Sequence, residues 1–306
     1  LTTAEWLAIT EEARKAGMVF LLLTGGEPLL RPDFPELLHA LKNMGFLVSV
    51  NSNGSLLRGE LLEAVKQDPP LRFNITLYGG SNATYERLCG RAMFQEVVDN
   101  LRALKDAGIP VRLNVSVTPD NKDDVPEIFR LARELGLHAK ASTYMYPPVR
   151  LDDGRPGDAP HRFAPEDAAR YMLLCREQQF TLEELRASAA GVPLSDGDEC
   201  TGNAEGEPVL CRAGRSSFWL TWDGRMIPCG MMASPGTPVL EQGFSAAWRS
   251  VRTEVEAIRL PAACAGCALR RHCNLCAASC FAETGDYDRK PDYICSLTHT
   301  LCRITR

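Results

Sequence analysis

The stretch "LLLTGGEPLL", Leu21 to Leu30, runs an apolar segment into two glycines, a carboxylate and a proline. A short apolar run closed by Gly and Pro reads as a buried strand ending in a turn. A strand that ends in Gly25-Gly26 lets a ligand approach the main chain closely and leaves backbone N–H and C=O groups free to bond it. Glu27 then offers a carboxylate suited to an ammonium group, and Pro28 starts the next segment. Taken alone, the four-residue string reads equally well as a plain turn.

The neighbouring sequence gives the strand a context. Strands are predicted at Val19 to Thr24, Leu47 to Asn51, Arg72 to Tyr78, Val111 to Val117 and His138 to Tyr146. Helices are predicted near Phe34 to Met44, Gly59 to Gln67, Ala92 to Ala107 and Asp124 to Leu135. Such βα repetition implies a parallel sheet or barrel, whose ligands bind at the C-terminal ends of the strands. The strands alternate: in "RFNITLY" Arg72, Asn74, Thr76 and Tyr78 interleave with Phe73, Ile75 and Leu77, and Arg112, Asn114 and Ser116 do the same in "VRLNVSV". Ser49, Asn51 and Asn53 share one parity, as do Lys140, Ser142 and Tyr144. Parallel strands covered on both faces would be apolar on both. Here one face is polar, as though helices coat the outside and a liganded or wet surface lies within, and Tyr78, Arg112, Lys140 and Tyr144 are its candidates for ligand contact. Solvated positions on an open sheet would give the same pattern.

Composition narrows the function classes. The chain has 306 residues, 45% of them hydrophobic, which is enough for one large α/β domain and a smaller one. A net charge of -5 and the lack of a basic stripe argue against a nucleic-acid partner. No apolar stretch approaches the roughly 20 residues that cross a bilayer, and no signal peptide opens the chain, so no membrane association and a cytoplasmic location are expected. Leu1 stands at the start of a helix, and a preceding segment is expected. Of 12 cysteines, only Cys89 and Cys175 precede residue 200. In a chain of cytoplasmic character a late cluster of this kind holds metal rather than disulfides.

Together "LLLTGGEPLLRPDF", "NSNG" from Asn51, "ITLYGG" from Ile75 and "LNVSVTPDN" from Leu113 resemble the radical S-adenosylmethionine enzymes, and the C-terminal third resembles the auxiliary iron-sulfur extension called SPASM. The resemblance implies an α/β fold, a partial (β/α)6 TIM-like barrel followed by a small cysteine-rich domain. It implies that Gly25, Gly26, Glu27 and Pro28 hold the amino group of S-adenosylmethionine, with Ser52, Asn53, Thr76 and Asn114 near its ribose and carboxylate. The family's signature C-x3-C-x2-C is absent from this sequence: Cys89 stands alone, and Cys273, Cys276 and Cys280 run C-x2-C-x3-C. That motif precedes the GGEP strand by a few dozen residues in the family, so the radical-generating [4Fe-4S] cluster is expected on a segment before Leu1. A chain truly lacking it would be a catalytically dead relative.

In the C-terminal third, a turn at Asp223-Gly224 in "FWLTWDGRMIPC" would bring Cys211 and Cys229 toward one centre. Thiolates at close spacing on irregular backbone can converge on a [4Fe-4S] cube, each iron taking one sulfur. The resemblance implies one or two auxiliary clusters with interleaved ligands. Cys211, Cys229 and either Cys276 or Cys280 serve the first, completed by Cys200 or an open site; Cys264, Cys267, Cys273 and Cys295 serve the second. Cys302 reads as a buried thiol, and Cys89 and Cys175 as structural. Zinc held by four thiolates is the competing metal and would make this part a binding module. The five histidines show no metal-pair spacing, no nucleophile elbow is present, and "GGSNATYERLCG" fits no phosphate-loop or dinucleotide pattern.

If the resemblance holds, a reduced cluster binds S-adenosylmethionine and cleaves a carbon-sulfur bond, and the resulting 5'-deoxyadenosyl radical takes hydrogen from a peptide or small-molecule substrate. An external electron donor such as flavodoxin or ferredoxin is implied, with auxiliary clusters carrying electrons or binding substrate. Domains are expected at 1–163, a helical connection at 164–194 and a cluster domain at 195–306, with the Pro-, Gly- and Asp-rich segment Pro147 to Arg162 leaving or lidding the barrel. The alternative is a non-catalytic relative or a zinc-stabilised binding protein.

Overall fold

The computed structural model describes residues 1–148, 155–190 and 206–305. It divides into two compact units, Leu1–Ser142 and Thr143–Arg306. Cys200 and the sequence-based boundary at 194/195 lie outside the described residues, as does part of the segment from Pro147 to Arg162.

The first unit alternates helix and strand: α1 (Thr3–Lys15), β1 (Phe20–Leu23), α2 (Phe34–Asn43), β2 (Leu47–Ser52), α3 (Gly59–Gln67), β3 (Arg72–Thr76), α4 (Asn82–Cys89), α5 (Phe94–Asp106), β4 (Val111–Ser116), α6 (Val125–Leu135) and β5 (His138–Ser142). The strands form one parallel sheet in sequential order, β1-β2-β3-β4-β5. The resemblance implied a (β/α)6 barrel with its first strand and cluster loop missing from this sequence, and the parallel sheet has five strands among the described residues. Sequential parallel strands joined by right-handed crossovers place every connecting helix on the same face of the sheet. This is why the sequence pattern has one apolar parity. Val48, Val50, Phe73, Ile75, Leu113 and Val115 are buried on the helix-covered face. There they meet stripes such as Phe34, Leu37, Leu38 and Leu41 of α2, which recur at i, i+3, i+4 and i+7. Each of these side chains contributes roughly 1.5–3 kcal/mol by leaving water.

Register carries the polar parity across the sheet. Asn51 pairs with Asn74, Asn74 with Arg112, Thr76 with Asn114, and Asn114 with Lys140. Asn74 Nδ2 donates to Asn51 Oδ1 at 2.8 Å, and Arg72 Nε donates to Asn74 Oδ1 at 2.9 Å. At one edge this face becomes apolar: Phe20 and Leu22 of β1 are 68% and 45% exposed.

Helix α1 starts at a capping box in which Thr2 Oγ1 accepts from Glu5 N, while the Glu5 side chain accepts from Thr2 N. Helix α4 was not predicted; Ser81 caps it by accepting from Thr84 N at 3.1 Å. Strand β5 was predicted to run to Tyr146 and stops at Ser142, because its partner ends at Ser116 in register with Ser142. Thr143 then turns away, its buried Oγ1 donating to the Ala168 carbonyl at 2.8 Å.

The second unit holds α7 (Pro165–Glu177), α8 (Leu182–Ala189), β6 (Trp219–Leu220), β7 (Arg225–Ile227), β8 (Thr237–Pro238), α9 (Val239–Gln242), α10 (Phe244–Ala257), α11 (Ala262–Ala265), α12 (Ala277–Thr284) and α13 (Asp292–Ile304). The three short strands form an antiparallel sheet, and the hairpin expected around Asp223-Gly224 joins β6 to β7. The single helical stretch read between Ala164 and Ala190 is two helices. Thr181 and Glu184 form a capping box that starts α8. Among the described residues no helix is long and apolar enough to cross a membrane.

A glycine sets the loop after β2. Gly54 has φ +76°, a conformation that side-chain-bearing residues rarely adopt, and an added Cβ would lie 3.0 Å from Ile75. Gly54→Ala is therefore expected to cost about 1–2 kcal/mol in chemical denaturation.

Candidate functional site

Strand β1 delivers Thr24, Gly25 and Gly26 to the C-terminal end of the sheet, where Glu27 caps a short 3-10 turn over Pro28–Leu30. Gly25 and Gly26 are exposed, and an added Cβ at either would meet no atom within 4 Å. The loop therefore presents bare backbone to open space, as close approach by a ligand requires.

Glu27 is also bonded within the chain. Its Oε1 accepts from Ser52 Oγ at 2.8 Å and from Leu29 N at 3.1 Å, and its Oε2 accepts from Asn53 N at 2.7 Å. The carboxylate thus ties the end of β1 to the end of β2. Three donors fill most of the roughly four lone-pair sites of a carboxylate, which leaves room for about one more. Ser52 Oγ in turn accepts from Gly54 N at 3.0 Å, and Asn53 Oδ1 accepts from Ser55 N at 2.9 Å. Glu27, Ser52 and Asn53 form one connected group beside the two glycines. Thr76 and Asn114 are register partners one and two strands further along, without a hydrogen bond to that group. Glu27→Gln keeps the shape and loses the charge. Its amide can no longer accept at both oxygens, so a loss of about 1–3 kcal/mol is expected in a urea titration of the protein.

The four sequence candidates for ligand contact part company. Arg112 and Lys140 lie on the polar face of β4 and β5. Tyr78 packs edge-on to Tyr85, with ring centroids 6.1 Å apart. Tyr144 belongs to the second unit, where its hydroxyl donates to Glu283 Oε1 at 2.7 Å.

The cysteines of the second unit fall into two groups. Cys264, Cys267, Cys273 and Cys295 all line one cavity of about 30 Å³, together with Arg270, Lys290 and Thr298. Thr298 Oγ1 lies 3.4 Å from Cys273 Sγ. Burial, most of all, raises the Cys295 thiol; Lys290 opposes this, and the nearby Cys273 and Cys267 add to it. The other group gathers around Tyr146. The Tyr146 hydroxyl lies 3.7 Å from Cys276 Sγ. Burial first, and then Cys276, Cys229 and Cys211, hold its phenol far above the ordinary range. Two of these sulfurs also face backbone donors, Met231 N at 3.4 Å from Cys229 Sγ and Ser279 N at 3.4 Å from Cys276 Sγ. Amides aimed at sulfur stabilise thiolate and thus suit a metal-bound cysteine. Among the described residues no three His, Cys, Asp or Glu side chains gather on a single metal ion.

Spacing left Cys276 and Cys280 interchangeable, and their surroundings in the structure differ. Cys276 is the N-cap of α12, at the edge of the group with Cys211 and Cys229. Cys280 is one turn inside α12, fully buried, with a thiol that burial raises strongly and with Cys276, Cys264 and Cys273 around it. Cys302 is buried against Leu269. Cys175 is buried in α7, and burial pushes its thiol up to about 11.

Sequence reasoning missed the polar centre behind α12. Arg162 Nη1 donates to Glu283 Oε1 at 2.6 Å, and the guanidinium lies 4.0 Å from the Tyr293 ring centroid. The pair is nearly buried, at 12% and 5% side-chain exposure. The available signal was the i, i+2 aromatic pair Tyr144 and Tyr146, of which Tyr144 was read as a candidate for ligand contact on the strand's polar face.

Residues 1–132 match the profile of the Radical SAM superfamily. Over 306 aligned positions the chain is 26% identical to the AdoMet-dependent heme synthase of Methanosarcina barkeri, covering 96% of this chain and 87% of that protein. A Saccharolobus solfataricus protein named "Probable GTP 3',8-cyclase" is 34% identical over 140 residues, which is 45% of each chain. Among solved structures, Streptococcus suis SuiB bound to precursor peptide SuiA has the same fold over 96% of this chain and 69% of that one, with a TM-score of 0.70 at 16% identity.

Proposed function

We propose, from the match of residues 1–132 to the Radical SAM superfamily, that this chain is an oxidoreductase of that kind, which uses S-adenosylmethionine to modify a peptide or a small molecule, assisted by auxiliary iron-sulfur clusters of the SPASM kind. The observation that carries the reading is the ring of four thiols, Cys264, Cys267, Cys273 and Cys295, around one cavity in the second unit of a chain whose first unit carries the superfamily's domain.

The donor sets fit the implied groups. The exposed Gly25-Gly26 backbone can take the polar end of S-adenosylmethionine, with Glu27, Ser52 and Asn53 fixing the loop's position. Thr76 and Asn114 extend this polar surface. Four thiols around a cavity match the one-sulfur-per-iron demand of a [4Fe-4S] cube. For the first cluster we assign Cys211, Cys229 and Cys276, with Cys280 as a buried thiol. When bound, S-adenosylmethionine and a reduced cluster supply a 5'-deoxyadenosyl radical able to take a hydrogen atom from substrate. The chain's own share is to hold the loop, shield the polar face and tune the thiolates. β1 ends the strand order and has β2 as its neighbour among the described residues, so its other edge is suited to pairing with a further strand, which we propose carries the C-x3-C-x2-C segment.

One observation favours a particular small molecule. The alignment with the heme synthase spans nearly both whole chains, whereas the likeness to SuiB is one of fold. This supports an iron tetrapyrrole as the first substrate to try, and a peptide as the second. An external donor such as flavodoxin or ferredoxin, and a cytoplasmic setting, complete the proposal.

Metal analysis of anaerobically purified full-length protein tests the cluster reading. Iron and sulfide in equal amounts, with little zinc, are expected. Stoichiometric zinc with little iron would sink it in favour of a zinc-stabilised binding protein.

A further inference from the structure

Helix α12 is held at both ends by one short extended segment. Its N-cap is Cys276 and its last turn carries Glu283. These positions are seven residues apart, two turns, so they share a face about 10 Å in length. Tyr146 meets the first of them, 3.7 Å from Cys276 Sγ, and Tyr144 meets the second, 2.7 Å from Glu283 Oε1. The two rings pack at 4.6 Å between centroids, and Tyr144 packs in turn at 5.6 Å on Tyr293. Arg162 also holds Glu283, its Nη1 donating to the same Oε1 and its Nη2 to Oε2. The Tyr146 ring is therefore packed on Tyr144, which Tyr293 and the buried Arg162–Glu283 pair hold in place, and its hydroxyl lies beside the sulfur of Cys276.

We propose that Tyr146 donates a hydrogen bond to the Cys276 thiolate and thereby raises the reduction potential of the first auxiliary cluster. This rests on the assignment of Cys211, Cys229 and Cys276 to that cluster. The physical cause is charge: reduction adds an electron to the iron-sulfur unit, and an O–H donor to a ligating sulfur stabilises the more negative state. Tyr146 acts through the sulfur and is a positioning residue.

Redox titration of anaerobically reconstituted full-length protein, followed by electron paramagnetic resonance, tests the proposal. In Tyr146→Phe one auxiliary signal is expected to move to a more negative midpoint, while the remaining signals and the iron content stay as in the parent. Tyr144→Phe keeps the Cys276 contact and is expected to leave that midpoint in place. An unchanged midpoint in Tyr146→Phe would overturn the proposal. So would an equal shift in Tyr144→Phe, which would assign the effect to ring packing, or loss of the cluster's iron in Tyr146→Phe, which would assign Tyr146 to assembly. Parent protein whose iron content is unchanged by Cys276→Ala would instead remove the cluster assignment on which the proposal stands.

Discussion

Cys276→Ala is expected to strip one auxiliary cluster from the protein, about four irons per chain, while Cys280→Ala keeps full iron. The two residues lie one turn apart, yet their surroundings oppose each other. Cys276 ends an extended segment at the helix cap, accepts a backbone N–H from Ser279, and neighbours Tyr146 together with Cys211 and Cys229. Its sulfur faces a backbone donor at the helix cap, an arrangement suited to a metal-bound cysteine. Cys280 is enclosed in α12 with no solvent exposure, and burial keeps its thiol protonated. Removing it leaves a small void at a cost of about 1 kcal/mol. Iron and acid-labile sulfide assays on both variants, normalised to folded protein, decide the matter. Equal iron loss in both would show that the helix interior also ligates.

Arg162→Ala is expected to destabilise the second unit by about 3–5 kcal/mol, the largest stability effect anticipated here. The substitution leaves the Glu283 carboxylate at 5% exposure with Tyr144 as its remaining hydrogen-bond partner among the described residues, and removes a guanidinium from the face of Tyr293. A buried pair is worth little against a matched apolar pair, but a buried charge that has lost its partner is costly. The double variant Arg162→Met, Glu283→Met should therefore recover much of the loss. Chemical denaturation of the three proteins reads this directly, and a single variant as stable as the parent would show that water reaches Glu283.

The sheet was legible because parallel strands with helices on one face must write that face as an apolar parity, and Phe73, Ile75, Leu113 and Val115 do so. The end of β5 was not. The alternation in "HAKASTYMY" continues past Ser142, and only the length of the neighbouring strand stops the ladder there. The resemblance implied how the late thiols group, but spacing could not separate Cys276 from Cys280. That choice depends on where α12 begins, and a helix cap without Ser, Thr, Asp or Asn carries little signal. The bonds that Glu27 makes within the chain were not legible. A carboxylate after two glycines looks free in sequence, while the fold brings Ser52 and Asn53 to it from the next strand. Arg162 and Glu283 are far apart in the chain, and neither has a local pattern that marks it.

The central claim is that the Gly25-Gly26-Glu27 loop and the late cysteines serve S-adenosylmethionine chemistry. Its most direct test is to give reduced, iron-replete full-length protein S-adenosylmethionine under anoxic conditions and to quantify the products. The account predicts 5'-deoxyadenosine and methionine in equal amounts, with both strongly diminished in Glu27→Ala. Iron-replete protein that leaves S-adenosylmethionine intact would contradict it.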